Sequence, residues 1–198
     1  MTQRLGFFVA LEGIDNVGKT SLLESLSVEF SPRLPVVTTR ELTTPVGILV
    51  REGLARSDFG SIGKVLLFAA DRQARLDSGF GASLQTRSLC IADRWTLSAA
   101  AYRSAENPGL LDYVLKVNSV FPKPDLTILL DATAELSIAR GKPINKNNYS
   151  LEFLSAVRAQ YLLLADRFGF VVVDGTQDFA TLAQSVSRVV ELALDKRV

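Results

Sequence analysis

Leu5-Gly6-Phe7-Phe8-Val9-Ala10-Leu11-Glu12-Gly13-Ile14-Asp15-Asn16-Val17-Gly18-Lys19-Thr20 is the stretch that decides the fold. From Gly13 it fits G-x-x-x-x-G-K-[ST], a loop whose backbone N–H groups cradle phosphate. The run 5–11 before it is short and apolar, as a buried parallel strand should be. The run after it sets Leu22, Leu23, Leu26 and Phe30 on one face of a helix over 19–30. Gly13 and Gly18 permit the tight turn that points N–H groups inward, and the helix presents its positive dipole end there. Lys19 adds a mobile cation for the outer phosphates, and the Thr20 hydroxyl suits Mg²⁺.

Composition narrows the chemistry. The chain has 198 residues, 22 basic and 21 acidic, so its net charge of +1 offers no global field for nucleic acid or a membrane surface. Any anion site must be local. The single cysteine, Cys90, excludes an internal disulfide and lies in an apolar run that reads as buried filler. No apolar run is long enough to span a bilayer, and a cytoplasmic location is expected. There is no histidine, which removes the commonest general base. The chemistry must use carboxylates, cationic side chains and Mg²⁺.

Working outward, apolar and amphipathic runs alternate. Strands are expected over 5–11, 35–39, 88–93, 126–131 and 169–174. Helices are expected near 19–30, 46–56, 60–77, 95–103, 109–120, 133–140, 150–167 and 178–195. This alternation predicts an α/β fold: one domain over 1–198, with a five-stranded parallel sheet flanked by helices in three layers, the P-loop NTPase arrangement.

Three further stretches carry chemistry. Strand 88–93 ends in Asp93-Arg94; an acid at the end of such a strand helps hold Mg²⁺ beside a phosphate loop. Leu66, Leu67 and Ala70 make an apolar helical face, while Phe68 and Arg72, four apart, share another side. An aromatic plane beside a guanidinium can stack a base and bond its edge, although a helical Phe is more often core. Residues 140–149, with Arg140, Lys142 and Lys146, read as a short basic lid, or equally as a solvated linker.

Taken in order, these residues resemble the thymidylate kinase family. Leu11-Glu12-Gly13-Ile14-Asp15 through Thr20 is similar to its E-G-x-D-x-x-G-K-[ST]. Thr39-Arg40-Glu41, Pro45, Gly47 and Arg51 resemble its T-R-E-P-G-G segment, and Leu66 to Arg72 its L-L-F-x-A-[DN]-R. Ile91 to Trp95 with Ser98, Ala101 and Tyr102 resemble its D-R-[YFW]-x-x-S segment, and Lys123 to Asp131 its P-D-L…L-D strand. The resemblance implies ATP at Gly13, Ile14, Asp15, Asn16, Val17, Gly18, Lys19, Thr20 and Ser21, and Mg²⁺ at Thr20 and Asp93. It implies a dTMP acceptor at Arg40, Arg51, Phe68, Arg72, Ser98 and Tyr102, and catalytic roles for Asp15, Lys19, Arg94, Arg140 and Lys146. A homodimer through the helix near 60–77 is implied by analogy alone. A phosphate acceptor is already an oxyanion, so no strong base is required, in keeping with a chain without histidine.

The chain departs from the family pattern at three places. The loop positions Ile14, Asp15, Asn16 and Val17 hold no extra cation, which shifts that duty to Arg140, Lys142 or Lys146. Leu42-Thr43-Thr44 replaces P-G-G, removing glycines from the acceptor segment. Arg103 stands where A-Y-Q is usual. A modified pyrimidine nucleotide, a nucleoside acceptor with Glu41 as base, and a non-catalytic nucleotide-binding protein stay open.

Overall fold

The computed structural model describes residues 4–56, 58–141 and 149–196. Five strands form one parallel sheet: β1 (Phe7–Glu12), β2 (Val36–Arg40), β3 (Leu89–Asp93), β4 (Leu126–Asp131) and β5 (Val171–Asp174), in the order β2-β3-β1-β4-β5. β1 sits at the centre because every one of its side chains is buried, on both faces. Alternation sorts them. Phe7, Val9 and Leu11 join the larger core, with Leu89 and Ile91 of β3 beside them. Phe8 and Ala10 join a smaller one built around Phe80, Trp95 and Phe121. The expected three layers are therefore present.

The helices are α1 (Lys19–Phe30), α2 (Pro45–Ala55), α3 (Ser61–Arg75), α4 (Gly81–Ser83), α5 (Thr96–Glu106), α6 (Leu111–Asn118), α7 (Ala134–Arg140), α8 (Leu151–Phe168) and α9 (Phe179–Asp195). α1 buries Leu22, Leu23, Leu26 and Phe30, the face its spacing predicts. Cys90 is buried, as expected.

One expectation for the helix over 60–77 is corrected. It ends at Arg75, and a π turn over Leu76–Phe80, with Gly79 at φ 112°, leads into α4. This local change of helical phase brings Phe80 into edge contact with Phe8, ring centroids 5.3 Å apart. The apolar face made by Leu66, Leu67 and Ala70 lies outside the core. Leu66 is half exposed, and α3 instead buries Val65, Asp71, Arg72 and Arg75. The buried side of this helix is charged because it meets polar groups at and beyond the ends of β2 and β3: the Arg94 and Trp95 carbonyls, the Thr39 and Thr44 hydroxyls and the Leu42 N–H.

Asp71 illustrates this. Its carboxylate accepts from the Leu42 N–H at 3.0 Å and from the Thr44 hydroxyl at 2.6 Å. Thr44 in turn caps α2 by accepting from the Gly47 N–H. Leu42 takes φ 60°, so the backbone keeps a left-handed conformation where the family's glycines are missing. The strain is offset by this buried carboxylate. A Cβ at Gly47 would lie 2.3 Å from Asp71 Oδ1 and 2.6 Å from Leu42 Cα. Gly47→Ala is expected to cost about 1–3 kcal/mol, read as a lower urea midpoint.

Candidate active site

The sheet brings two loops together at its carboxyl edge. Leu11 pairs with Asp93, and the Arg94 N–H donates to the Leu11 carbonyl at 3.0 Å. Open α/β sheets bind ligands at this edge. In the phosphate loop, Ile14 and Val17 point into the core, so the backbone forms the cradle. Gly13 at φ 140°, Asn16 at 58° and Gly18 at 96° supply its curvature. Ser21 is an exposed residue in the first turn of α1. The Lys19 ammonium folds back on the loop, donating to the carbonyls of Ile14 at 2.6 Å and Gly13 at 3.2 Å. Burial and the neighbouring Arg94 lower its pKa to about 8, against the opposing pull of Asp93, Asp15 and Glu12.

Thr20 and Asp93 meet: the Thr20 hydroxyl donates to Asp93 Oδ2 at 2.6 Å. Among the described residues no cluster of three or more His, Cys, Asp or Glu could hold a metal alone. One hydroxyl and one carboxylate fit Mg²⁺, which completes its shell with water and phosphate oxygens.

Arg94 is the hub. Its Nη1 donates to the Gly13 carbonyl at 2.9 Å and to the Tyr161 hydroxyl at 3.2 Å. Its Nη2 donates to Asp15 Oδ1 at 2.5 Å and to the Tyr102 hydroxyl at 3.1 Å. Burial alone would lower the pKa of this guanidinium. Tyr102, Asp15, Tyr161 and Glu41 outweigh that and hold it well above the usual arginine value. Burial likewise pushes Asp15 upward, but Arg94, Lys19 and Tyr102 bring its carboxyl below the usual aspartate range.

The turn carrying Arg94 is strained, with φ 64°, and is gripped from two sides. From β1, the fully buried Glu12 accepts the Trp95 N–H at 3.0 Å and also receives the Ser98 and Tyr161 hydroxyls. From α3, Arg75 Nη2 donates to the Arg94 carbonyl and Arg72 Nη2 to the Trp95 carbonyl, each at 3.0 Å. Arg75 Nε also holds Thr39 Oγ1 at 3.0 Å, joining the ends of β2 and β3. Arg75→Met is expected to cost about 2 kcal/mol by urea unfolding, since the Arg94 carbonyl then loses a buried charged donor.

A cavity opens beside the phosphate loop. Asp15, Thr20, Asp93 and Arg94 form one end. Arg40, Glu41 and Leu42 after β2, Leu54 of α2 and Phe68 of α3 form one wall. Ser98, Ala99, Tyr102 and Arg103 of α5, with Tyr149, form the other. Burial pushes the Glu41 carboxyl up, against Arg94, Arg72 and Arg75. Arg40 is exposed and lies 3.5 Å from Glu24.

Several candidates are placed otherwise. Arg51 is exposed on α2 and does not line the cavity. Arg72 does not line it either: its Nη1 donates to Asn118 Oδ1 at 2.5 Å, and its Cζ lies over Trp95 and Phe121 at 5.6 and 5.3 Å. Arg140 closes α7 rather than opening a lid. Its Nη1 donates to the Gly175 carbonyl at 2.8 Å, with the Thr176 and Gln177 carbonyls within 3.5 Å of Nη2. Lys142 and Lys146 lie outside the described residues. Glu12, Arg75 and Tyr161 were not singled out by sequence; only Glu12 carries a signal, as the first letter of E-G-x-D.

This geometry defines a class: a P-loop enzyme whose phosphate cradle opens onto a second cavity, with Asp15 and Arg94 between them. Comparison with known proteins narrows it. The sequence model of the family described as Thymidylate kinase matches residues 11–186, and the chain belongs to that family. It is 35% identical over 187 residues to Probable thymidylate kinase 1 of Saccharolobus solfataricus, covering 92% of this chain and 96% of that one. It is 33% identical over 196 residues to a probable thymidylate kinase of Staphylothermus marinus, covering 96% and 97%. A third, from Pyrobaculum calidifontis, is 34% identical over 192 residues, covering 94% and 97%.

Proposed function

We propose that this chain transfers the γ-phosphoryl group of ATP to the phosphate of dTMP, giving ADP and dTDP. The observation that carries the reading is the adjacency of the phosphate cradle and the cavity across Asp15 and Arg94. ATP enters the loop, its phosphates displacing the Gly13 and Ile14 carbonyls from the Lys19 ammonium. An oxygen of the acceptor phosphate attacks the γ-phosphorus as the bond to the β–γ bridging oxygen breaks. Repulsion between the two anions is the main obstacle, so catalysis comes from positioning and charge. Lys19 and Arg94 provide that charge from both sides of the transferring group. Mg²⁺, when bound through Thr20 and Asp93, supplies further neutralisation. Phe68 stacks on the acceptor's base, and Tyr102 packs against its sugar.

Incubation with ATP, Mg²⁺ and a panel of nucleosides and monophosphates, with products separated chromatographically, tests this. dTDP from dTMP is the expected product. Phosphorylation of thymidine but not dTMP would instead support a nucleoside kinase using Glu41 as base.

A homodimer through α3 is the partner reading. It is supported by side chains that α2 and α3 leave exposed: Leu49 at 67%, Ile62 at 56% and Leu66 at 50%. Sedimentation is expected to give about twice the chain mass, and Leu66→Glu to lower it toward one chain. No helix among the described residues is long and apolar enough to cross a membrane.

A further inference from the structure

One wall of the cavity is held together by a carboxylate that does not line it. β2 pairs with β3 as far as Arg40, opposite Asp93, and the Glu41 N–H still reaches the Asp93 carbonyl at 3.3 Å. The next N–H, that of Leu42, turns to α3 and donates to Asp71 Oδ2 at 3.0 Å. Leu42 lines the cavity with φ 60°, a conformation that a bulky residue keeps only when its surroundings impose it. Two residues on, the Thr44 hydroxyl donates to Asp71 Oδ1 at 2.6 Å and accepts the Gly47 N–H at 2.9 Å, which fixes the start of α2. Leu54, also of α2, belongs to the same wall. Phe68, the part of the wall that α3 supplies, lies three residues before Asp71 and so on the same side of that helix. Asp71 itself is fully buried. The loop after β2, α2 and α3 thus converge on one carboxylate. The opposite wall is held separately, with Ser98 and Tyr102 bonded to Glu12, Tyr161 and Arg94.

A left-handed leucine has lower-energy alternatives. Each of them takes the Leu42 N–H away from Asp71 and leaves a buried carboxylate short of a donor, so the alternatives are opposed. We propose that Asp71 is a positioning residue for the acceptor: it imposes the Leu42 conformation and thereby sets the shape of the cavity wall, without touching the nucleotide. The proposal rests on the dTMP kinase reading and goes beyond it. A wall shaped in advance binds without first ordering its loop, so the effect falls on acceptor affinity. The two partners of the carboxylate, Leu42 and Thr44, lie outside the phosphate cradle, which leaves ATP binding and the transfer step in place.

The test is steady-state kinetics with ATP and dTMP varied in turn. Asp71→Ala is expected to raise KM for dTMP about tenfold to thirtyfold, with kcat and KM for ATP within about threefold of the parent. Asp71→Asn separates hydrogen bonding from charge, since the carboxylate also opposes the charge of the buried Arg72 and Arg75. Its amide oxygen still accepts from Leu42 and its amide nitrogen donates to Thr44, so KM for dTMP should stay within about threefold of the parent. Leu42→Gly supplies the comparison that a merely structural role would not move. Glycine takes a positive φ without strain. Asp71→Ala should therefore raise KM for dTMP about threefold less, or better, in the Leu42→Gly background than in the parent. A parental KM for dTMP in Asp71→Ala, an Asp71→Asn that reproduces Asp71→Ala, equal effects of Asp71→Ala in both backgrounds, or parallel rises in KM for ATP and dTMP would each overturn the assignment. If Asp71→Ala does not fold by circular dichroism, Thr44→Val removes one of the two partners at nearly constant shape. It is expected to raise KM for dTMP about threefold, and an unchanged KM would refute the proposal. Failure of the parent to make dTDP is a separate result that defeats the underlying reading first.

Discussion

Lys19→Met is expected to lower kcat about a thousandfold while the protein remains folded. In the proposed reaction the loop then loses its cation for the γ-phosphoryl group as charge spreads over its oxygens. Methionine is close in length and apolar, so the variant removes charge without opening a large void. Burial already costs the Lys19 ammonium part of its charge stability, as its pKa of about 8 records. Removing it also leaves the Gly13 and Ile14 carbonyls without its donors. These effects oppose one another, and the melting temperature is expected to move by no more than about 5 °C. A coupled assay of ADP release with dTMP as acceptor, alongside thermal melting, checks both parts. A variant retaining a tenth of parental turnover would remove Lys19 from the transition state.

The second large effect belongs to Arg94. Arg94→Lys conserves charge and is still expected to lower kcat about a hundredfold. A guanidinium reaches the Gly13 carbonyl, Asp15, Tyr102 and Tyr161 at once because its donors diverge in a plane. An ammonium on a shorter stem cannot satisfy all four. Asp15 would lose its closest cation and the fixed position between cradle and cavity that goes with it. Stability should fall by about 1–3 kcal/mol, because buried polar groups are left unpaired. Steady-state kinetics and urea unfolding on one preparation separate the two losses. Full activity with reduced stability would make Arg94 a structural residue only.

The fold was legible where local covalent spacing carries it. The apolar run before Gly13, the helical face of Leu22, Leu23, Leu26 and Phe30, and the alternation of runs depend on neighbours a few residues away. The phosphate cradle belongs to the same category. Less legible were charged residues whose partners are distant backbone atoms. Arg75 resembles any surface arginine until the sheet brings the ends of β2 and β3 beneath it. Asp71 is in the same position, since its acceptor role depends on Leu42 adopting a left-handed turn without glycine. Arg72 shows the limit of spacing as a guide. Its interval from Phe68 puts both on one side of α3, yet Phe68 reaches the cavity while the guanidinium passes beneath Trp95 toward α6. Arg140 shows the same limit at a helix end, where it reaches the β5–α9 loop.

The cations of this site hold acceptors supplied by the chain itself. Two loop carbonyls occupy the Lys19 ammonium, and the Asp15 carboxylate occupies Arg94. Binding is therefore an exchange of ligands on fixed cations rather than the bare desolvation of exposed ones. Such a site gives up some intrinsic affinity for anions. An anion must compete with the Gly13 and Ile14 carbonyls for the Lys19 ammonium, while the Asp15–Arg94 pair keeps its place.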